Sequence, residues 1–265
     1  MTRLRIAAAC AIALVSSLLL ARVHPFGDAG LYKATPAPAT IMQHSNVPPR
    51  VRDLLITKCA DCHSTETRAP LYGRLAPISW LLERDILEGR KHMNLSAWDT
   101  YSPEEQQTFQ SKILTQTRTR KMPLPQYRSI HRGSAITADD VALLTQWAHL
   151  TSTLDPAPTQ RSVNAGDPIQ GKLVFDKRCT GCHSLDQNRE GPHLRGVFGR
   201  TSGQVPDFPY SSALKDAHIP WNNETLDRWL TDPDAFVPQN GMSFRVAKPD
   251  ERRDLIRFLK ESAER

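Results

Sequence analysis

Two short cysteine and histidine motifs with the same spacing are the strongest chemical signal in the sequence. Residues 59–63 and residues 179–183 both read Cys-x-x-Cys-His. This pattern is typical of covalent haem c attachment, in which two thiols one helical turn apart bond the porphyrin and the adjacent histidine faces the iron. We therefore predict two covalently bound haem c groups. Their expected attachment and iron-ligand residues are Cys59, Cys62, His63, Cys179, Cys182 and His183.

Other uses of the paired cysteines fit the sequence less well. Structural disulfides within Cys-x-x-Cys would close small, strained loops, and a thioredoxin-like redox site requires a βαβ setting that the sequence does not predict. A zinc site built from both pairs would join distant segments and leave both histidines unexplained. The fifth cysteine, Cys10, lies in an apolar N-terminal run and is interpreted as a small apolar residue.

Methionines that follow the two motifs are candidates for the second axial ligand of each iron, and methionine ligation raises the haem potential. Met122 lies in a proline-rich loop, and Met242 follows Gly241 in another loop. The same number of residues separates each methionine from the histidine of its motif. We predict Met122 and Met242 as distal ligands. For the first motif Met93, His92 or no protein ligand remain alternatives.

The N-terminus has the pattern of an export signal. A basic stretch with Arg3 and Arg5 precedes an uncharged apolar run from Ile6 to Ala21, and no clear cleavage site follows. Residues 1–23 are therefore predicted to be a signal peptide or an uncleaved membrane anchor, with the anchor favoured. In both cases the remainder of the chain is exported, and the basic end stays on the cytoplasmic side.

Composition excludes two broad classes. The chain of 265 residues has a net charge of +6 and a pI of about 9.2. Half of this charge comes from Arg3, Arg5 and Arg22, and four haem propionates would offset much of the rest, so we do not expect a nucleic-acid partner. The mean hydropathy of −0.46 excludes a polytopic membrane protein.

The elements that must position these motifs are predicted to be helices. No window alternates as a strand does, whereas Ser102 with Pro103 and Glu105, and Asp167 with Pro168, are typical helix starts. We predict an all-α fold with two cytochrome c-like helical domains in tandem after the N-terminal helix. The expected boundaries are a Pro/Ala spacer over 24–43, a haem-binding domain over 44–150, a linker over 151–166 and a second domain over 167–265.

Residues 167–262 resemble a class I cytochrome c of the mitochondrial type. The resemblance covers Gly171 with Phe175, the second motif, a Gly-Pro-His-Leu string at 191–194, and the methionine loop. It implies that the Pro192 carbonyl accepts a hydrogen bond from His183. It also implies haem contacts, through propionates or packing, from Arg200, Tyr210, Trp221, Trp229 and Phe244, with Trp229 at a position where the family often has tyrosine.

Residues 48–149 resemble a haem-binding domain of bacterial exported proteins. The resemblance covers the first motif and three strings that follow it, Arg68–Tyr72, Pro77–Trp80 and Met122–Leu124. The resemblance implies that Pro70 is the analogue of Pro192. Trp80 and Arg90 are candidates for propionate or haem packing, although Trp80 fits a plain core position equally well. The implied location is the bacterial periplasm, with a tether to the inner membrane.

Together these features predict an electron carrier without catalytic residues, working between redox partner proteins. One alternative is a peroxidase-like dihaem enzyme with an open distal site on the first haem and His92 or His131 as its polar group. Another is a haem-based sensor. Three cations in residues 117–121 are interpreted either as a docking patch for an acidic redox partner or as a solvated loop.

Overall fold

The computed structural model describes residues 2–32, 42–43, 46–152 and 166–263. Helices and loops make up these described residues, with no β-strand among them and a single isolated bridge between Thr201 and Pro220. The predicted all-α fold class is confirmed. Much of the predicted spacer over 24–43 and most of the predicted linker over 151–166 lie outside the described residues.

Twelve α-helices run through the described residues. They are α1 (Thr2–Leu20), α2 (Pro49–Lys58), α3 (Ala60–His63), α4 (Ile78–His92), α5 (Pro103–Arg118), α6 (Pro125–Ile130), α7 (Ala138–Ser152), α8 (Pro168–Val174), α9 (Ser212–Asp216), α10 (Asn223–Thr231), α11 (Pro233–Phe236) and α12 (Pro249–Glu261). Short 3₁₀ turns cover Leu71–Arg74, Leu95–Thr100 and Arg132–Ser134, and a π turn covers Phe175–Cys179.

Helix starts lie where local side-chain chemistry places them. Ser102 accepts a hydrogen bond from the Glu105 amide, and the Glu105 carboxylate accepts one from the Ser102 amide, which forms the predicted capping box at α5. Asp167 accepts from the amides of Ile169 and Gln170 at the start of α8. These caps satisfy amide groups that have no partner within the helix.

The chain divides into two compact units. The first comprises Met1–Tyr101 and Tyr127–Ala135, and the second comprises Ser102–Gln126 and Ile136–Arg265. Helices α5 and α7 therefore belong to the same unit as α8 to α12. The two Cys-x-x-Cys-His motifs fall in different units.

In the first unit, α4 is the central element. Ile86 of α4 is fully buried and packs with Ala29 and Leu31 of the segment that follows α1. Leu82 and Leu87 pack against the same cluster. Burial of these apolar side chains holds the segment after α1 against α4.

Helix α1 is joined to this unit at its C-terminal end. The Ser17 hydroxyl donates to the Ala76 carbonyl at 2.7 Å, the Ala76 amide donates to the Ser17 carbonyl at 3.2 Å, and the Trp80 indole donates to the Leu20 carbonyl at 3.1 Å. The stretch Arg3–Leu20 has a mean hydropathy of 1.8 and is long enough and apolar enough to cross a membrane.

In the second unit, α8 crosses α12 at close range. A Cβ at Gly171 would lie 2.0 Å from the Asp254 carbonyl oxygen and 2.8 Å from the Phe258 Cβ. The rings of Phe175 and Phe258 pack beside the crossing, with centroids 5.5 Å apart. Only glycine permits this backbone approach.

Ion pairs and hydrogen bonds of partly or fully buried arginines join α5 to the rest of the second unit. Arg118 of α5 donates to Asp234 at 2.7 Å and to Ser243 at 3.0 Å. Arg178, with 5% of its surface exposed, donates to Gln107 of α5 and is paired with Glu251 of α12. These partners offset the free-energy cost of burying the charged guanidinium groups.

Replacing Gly171 with alanine tests the close crossing. We expect Gly171→Ala to destabilise the second unit by about 1–3 kcal/mol or more, because the added methyl overlaps backbone that cannot give way. Thermal unfolding followed by circular dichroism measures the effect. Gly133→Ala is the matched control, since no heavy atom lies within 4 Å of its Cβ position. Equal melting temperatures for the two variants would contradict the packing argument.

Candidate haem-binding sites

The second motif begins at the end of the π turn that follows α8. Its first cysteine closes the π turn Phe175–Cys179, and the amides of Cys182 and His183 both donate to the Cys179 carbonyl, at 3.0 and 2.8 Å. One helical turn thus holds the two cysteines and the histidine in a fixed arrangement. This is the geometry that bonding of both thiols to one porphyrin requires.

A backbone carbonyl fixes the His183 imidazole through its Nδ1 atom. Its Nδ1 lies 2.7 Å from the Pro192 carbonyl oxygen, the arrangement that the resemblance implies. Burial lowers the pKa of His183, so the imidazole is neutral near pH 7. A Cβ at Gly191 would lie 2.2 Å from the ring, so only glycine leaves room for it. A neutral imidazole with Nδ1 occupied presents Nε2 to a metal.

A cavity of about 320 Å³ opens in front of this histidine. Its walls carry all the residues expected around the second haem: Cys179, Cys182, His183, Arg200, Tyr210, Trp221, Trp229, Met242 and Phe244. Trp221 and Trp229 are buried, and their ring centroids lie 5.4 Å apart. A largely apolar cavity with histidine and methionine in its wall, and with two thiols beside them, fits an iron porphyrin.

Both cysteine thiols of the second motif are protonated at neutral pH. Burial raises the pKa of Cys179 and of Cys182 to about 12, and burial raises that of Cys62 in the first motif to about 11. Reactive redox cysteines have lowered pKa values instead. These thiols therefore fit structural attachment of a cofactor better than thiol redox chemistry.

Arg200 and Tyr210 supply the polar side of the cavity. Arg200 donates to the His193 carbonyl at 3.0 Å, and burial lowers its pKa. Burial raises the pKa of Tyr210, which keeps its hydroxyl protonated. A half-buried guanidinium held by carbonyl groups, beside a phenol, suits a carboxylate such as a haem propionate.

Met242 is positioned by a buried amide. The Asn240 side chain, 4% exposed, donates to the carbonyls of Pro233 and Val237, both at 2.9 Å, and its oxygen accepts from the Met242 amide at 2.6 Å. This loop has no regular secondary structure, so Asn240 supplies the bonds that fix it. The sequence analysis did not identify Asn240, although a polar residue two positions before a ligand methionine was a usable signal.

The first motif forms the same turn as the second. The amides of Cys62 and His63 donate to the Cys59 carbonyl at 3.3 and 3.0 Å, and burial lowers the pKa of His63. A Cβ at Gly89 of α4 would lie 2.9 Å from the Cys62 carbonyl oxygen. Helix α4 therefore packs directly on the motif, because glycine allows the approach.

The carbonyl behind His63 is not the expected one. His63 Nδ1 lies 3.2 Å from the Met93 carbonyl oxygen, whereas the resemblance pointed to Pro70. The Pro70 carbonyl instead accepts from the Gly73 amide at 2.9 Å, because the chain turns there into the 3₁₀ turn Leu71–Arg74. Met93, 8% exposed, follows α4 directly, and its position depends on tertiary packing.

Arg90 and Trp80, the other expected contacts of the first haem, have protein partners. Arg90 donates to the Ser64 carbonyl at 2.6 Å and to the Thr67 hydroxyl at 2.9 Å, close to the first motif. Trp80 donates to Leu20 of α1, as described above. Their contact with a haem stays a prediction.

The loop after α5 carries the other predicted methionine. The Met122 amide donates to the Gln116 carbonyl at 3.1 Å, and Met122 belongs to the second unit. Its pairing with His63 stays a prediction. Of the three nearby cations, Arg118 is engaged by Asp234, whereas Arg120 and Lys121 are exposed. Of the residues considered for a docking patch, two cations are therefore exposed to solvent.

The two histidines considered for an enzymatic distal site differ in their surroundings. His92 is exposed at the end of α4. His131 Nε2 forms a hydrogen bond of 2.9 Å with the Tyr72 hydroxyl. The His131 ring stacks on the Tyr127 ring, with centroids 4.0 Å apart. The spacing of four residues between Tyr127 and His131 was the sequence signal for this contact.

In comparison with known proteins, two family models match successive parts of the chain. Residues 21–150 match the model of a haem-binding domain, and residues 169–263 match the model of cytochrome c. Cytochrome c of Ulva intestinalis is 39% identical over 101 residues, which cover 37% of this chain and 91% of that protein. Cytochrome c type-1 of Ascaris suum is 42% identical over 103 residues, covering 38% and 92%.

Among solved structures, cytochrome cH from Methylobacterium extorquens is 35% identical, with a TM-score of 0.35, and the match covers 36% of this chain and 99% of that one. The relatives above are matched over nine tenths of their length, and Cys179, Cys182, His183 and Met242 of the cavity wall lie within the matched region. The chain belongs to the cytochrome c family of electron-transfer haem proteins, and a haem-binding domain precedes its cytochrome c domain.

Proposed function

We propose that this protein is an exported dihaem electron carrier that passes electrons between redox partner proteins through two covalently attached His/Met haems. The observation that carries the proposal is the equivalence of the two motifs. In each, the second cysteine and the histidine donate their amides to the carbonyl of the first cysteine, and in each burial lowers the pKa of the histidine. Identical local geometry supports the same cofactor at both places.

Haem supplies one-electron chemistry at its iron, and this chain's residues bind and orient it. Cys59, Cys62, Cys179 and Cys182 are the proposed attachment residues, with His63 and His183 as proximal ligands. Pro192 and Met93 fix the two imidazoles through Nδ1. This hydrogen bond sets the tautomer and raises the basicity of the ligating nitrogen.

For the second haem, Met242 is the proposed distal ligand. It lies in the wall of the same cavity as His183, in a loop fixed by Asn240. The cavity walls are mainly apolar and aromatic side chains, with Arg200 and Tyr210 on the polar side. Such surroundings suit electron transfer with little reorganisation.

For the first haem, the position of Met93 beside the His63 ring favours Met122 over Met93 as the distal ligand. The Met93 carbonyl lies at Nδ1, the edge of the imidazole that faces away from a metal bound at Nε2. A residue on that edge is badly placed to reach the opposite face of the iron. Met122 lies in a proline-rich loop whose amide is fixed by Gln116, and such rigidity suits a ligand without secondary structure of its own.

We further propose that the protein works in the bacterial periplasm, tethered by α1 to the inner membrane. The apolar stretch Arg3–Leu20 supports this, together with the bonds from Ala76 and Trp80 to the end of α1. These contacts favour an uncleaved helix, since cleavage would remove their partners. Arg120 and Lys121 offer positive charge to an acidic redox partner through a small transient interface.

The haem content tests the proposal. We expect about two haems per chain from pyridine haemochrome spectra of the purified protein, because each motif attaches one. The double variants Cys59→Ala/Cys62→Ala and Cys179→Ala/Cys182→Ala should each retain about one covalent haem by intact mass. Cys10→Ala is the matched control and should leave the content unchanged. A wild-type ratio of one, insensitive to loss of Cys59 and Cys62, would contradict the dihaem proposal.

Methionine variants test the distal ligands. Met242→Ala and Met122→Ala should each remove about half of the far-red methionine–iron absorption of the oxidised protein, and each should open one haem to carbon monoxide. The potential of the affected haem should fall, since methionine raises it. Met93→Leu keeps the backbone carbonyl that holds His63 and should leave the spectrum unchanged. Loss of the band in Met93→Leu, but not in Met122→Ala, would assign the ligand to Met93.

The N-terminus of the mature protein tests the tether. We expect the intact mass of the haem-loaded protein to include residues 1–23, and the protein to stay in the membrane fraction after washes with high salt and with carbonate. An apolar helix of this length anchors a chain far more firmly than charge does. A soluble periplasmic protein whose sequence begins near the end of α1 would instead identify a cleaved signal peptide.

A further inference from the structure

We propose that the first unit binds a divalent transition-metal cation, with Zn²⁺ as the representative ion, through His24, Asp28 and Glu83. One ligand atom from each side chain lies within 4.8 Å of the other two. His24 and Asp28 lie in the segment after α1, and Glu83 lies on α4. None of the three belongs to a Cys-x-x-Cys-His motif, and the inference is independent of the proposed electron transfer.

The buried carboxylate of Glu83 is the feature that indicates a bound cation. Its side chain has no exposed surface, and Oε1 lies 2.6 Å from His24 Nδ1. The other oxygen, Oε2, is buried and has no hydrogen-bond partner among the residues that the structure describes. A buried carboxylate with one bare oxygen is costly, and coordination of a cation is one of the few ways to offset that cost.

The remaining ligands are held by backbone turns and by packing, so the cluster is built into the fold. Gly27, with φ of +110°, donates its amide to the His24 carbonyl at 3.1 Å. Asp28 Oδ1 accepts from the Gly30 amide at 2.7 Å. Directly afterwards Ala29, 2% exposed, packs on Ile86 of α4, about one turn after Glu83. The segment is thereby fixed opposite Glu83.

The donor set defines the class of ion. One imidazole nitrogen and two carboxylate oxygens suit borderline cations such as Zn²⁺ better than soft ions, which prefer thiolates. Three protein ligands leave a coordination position for water, as in open zinc sites. His24 is partly exposed and Asp28 is exposed, which gives the ion a path from solvent.

Such an ion would join the segment after α1 to α4. Helix α4 also packs on the first haem motif through Gly89. Metal binding to the folded form alone would therefore stabilise the unit that carries His63, by mass action.

The test uses the full haem-loaded chain in detergent, treated with a chelator and dialysed. Titration with ZnCl₂ by calorimetry should give one site per chain, and Zn²⁺ should raise the melting temperature. Asp28→Asn should weaken binding at least about tenfold and abolish the thermal shift. This variant changes an exposed side chain, so it keeps the test valid if Glu83→Gln or His24→Ala fails to fold.

Glu88→Gln is the matched control, because Glu88 lies on the same helix with 57% of its side chain exposed. It should bind Zn²⁺ as the wild type does. Haem content, measured in parallel, should not change in any folded variant. Absence of a Zn²⁺ site in the wild type, or equal affinity in Asp28→Asn and Glu88→Gln, would overturn the proposal and identify His24 and Glu83 as a hydrogen-bonded pair alone.

Discussion

The hydrogen bond between a half-buried imidazole and a backbone carbonyl is the constraint on which the haem-binding architecture depends. An iron-ligating histidine must be shielded from water, yet its Nδ1 group must have a partner. His183 obtains that partner from Pro192 at 2.7 Å, and His63 obtains it from Met93 at 3.2 Å. In both cases burial lowers the histidine pKa, which favours the neutral imidazole that the proposed iron ligation requires.

The two units meet this constraint with different elements. In the second unit a loop brings the carbonyl, and Gly191 clears space for the ring. In the first unit the end of α4 brings the carbonyl, and Gly89 lets the helix reach the motif. Residues 169–263 match the model of cytochrome c, whereas residues 21–150 match the model of a haem-binding domain.

Several arginines of the second unit form ion pairs within that unit. Arg118, Arg178 and Arg245 of the second unit pair with Asp234, Glu251 and Asp232. These guanidinium groups fix α5 and the methionine loop, since a partly buried cation needs a close anionic partner. Half of the net charge of +6 comes instead from Arg3, Arg5 and Arg22, in and just after the N-terminal helix.

The sequence by itself determined the features that depend on neighbouring residues. These were the two motifs, the capping box at Ser102, the start of α8 at Asp167 and the all-α class, because caps and turns form between residues a few positions apart. Only the tertiary structure decided that Met93 and not Pro70 supports His63, and that His24 meets Glu83 across 59 positions of sequence. Such contacts depend on how helices pack, and no short-range pattern encodes which distant carbonyl or carboxylate arrives there.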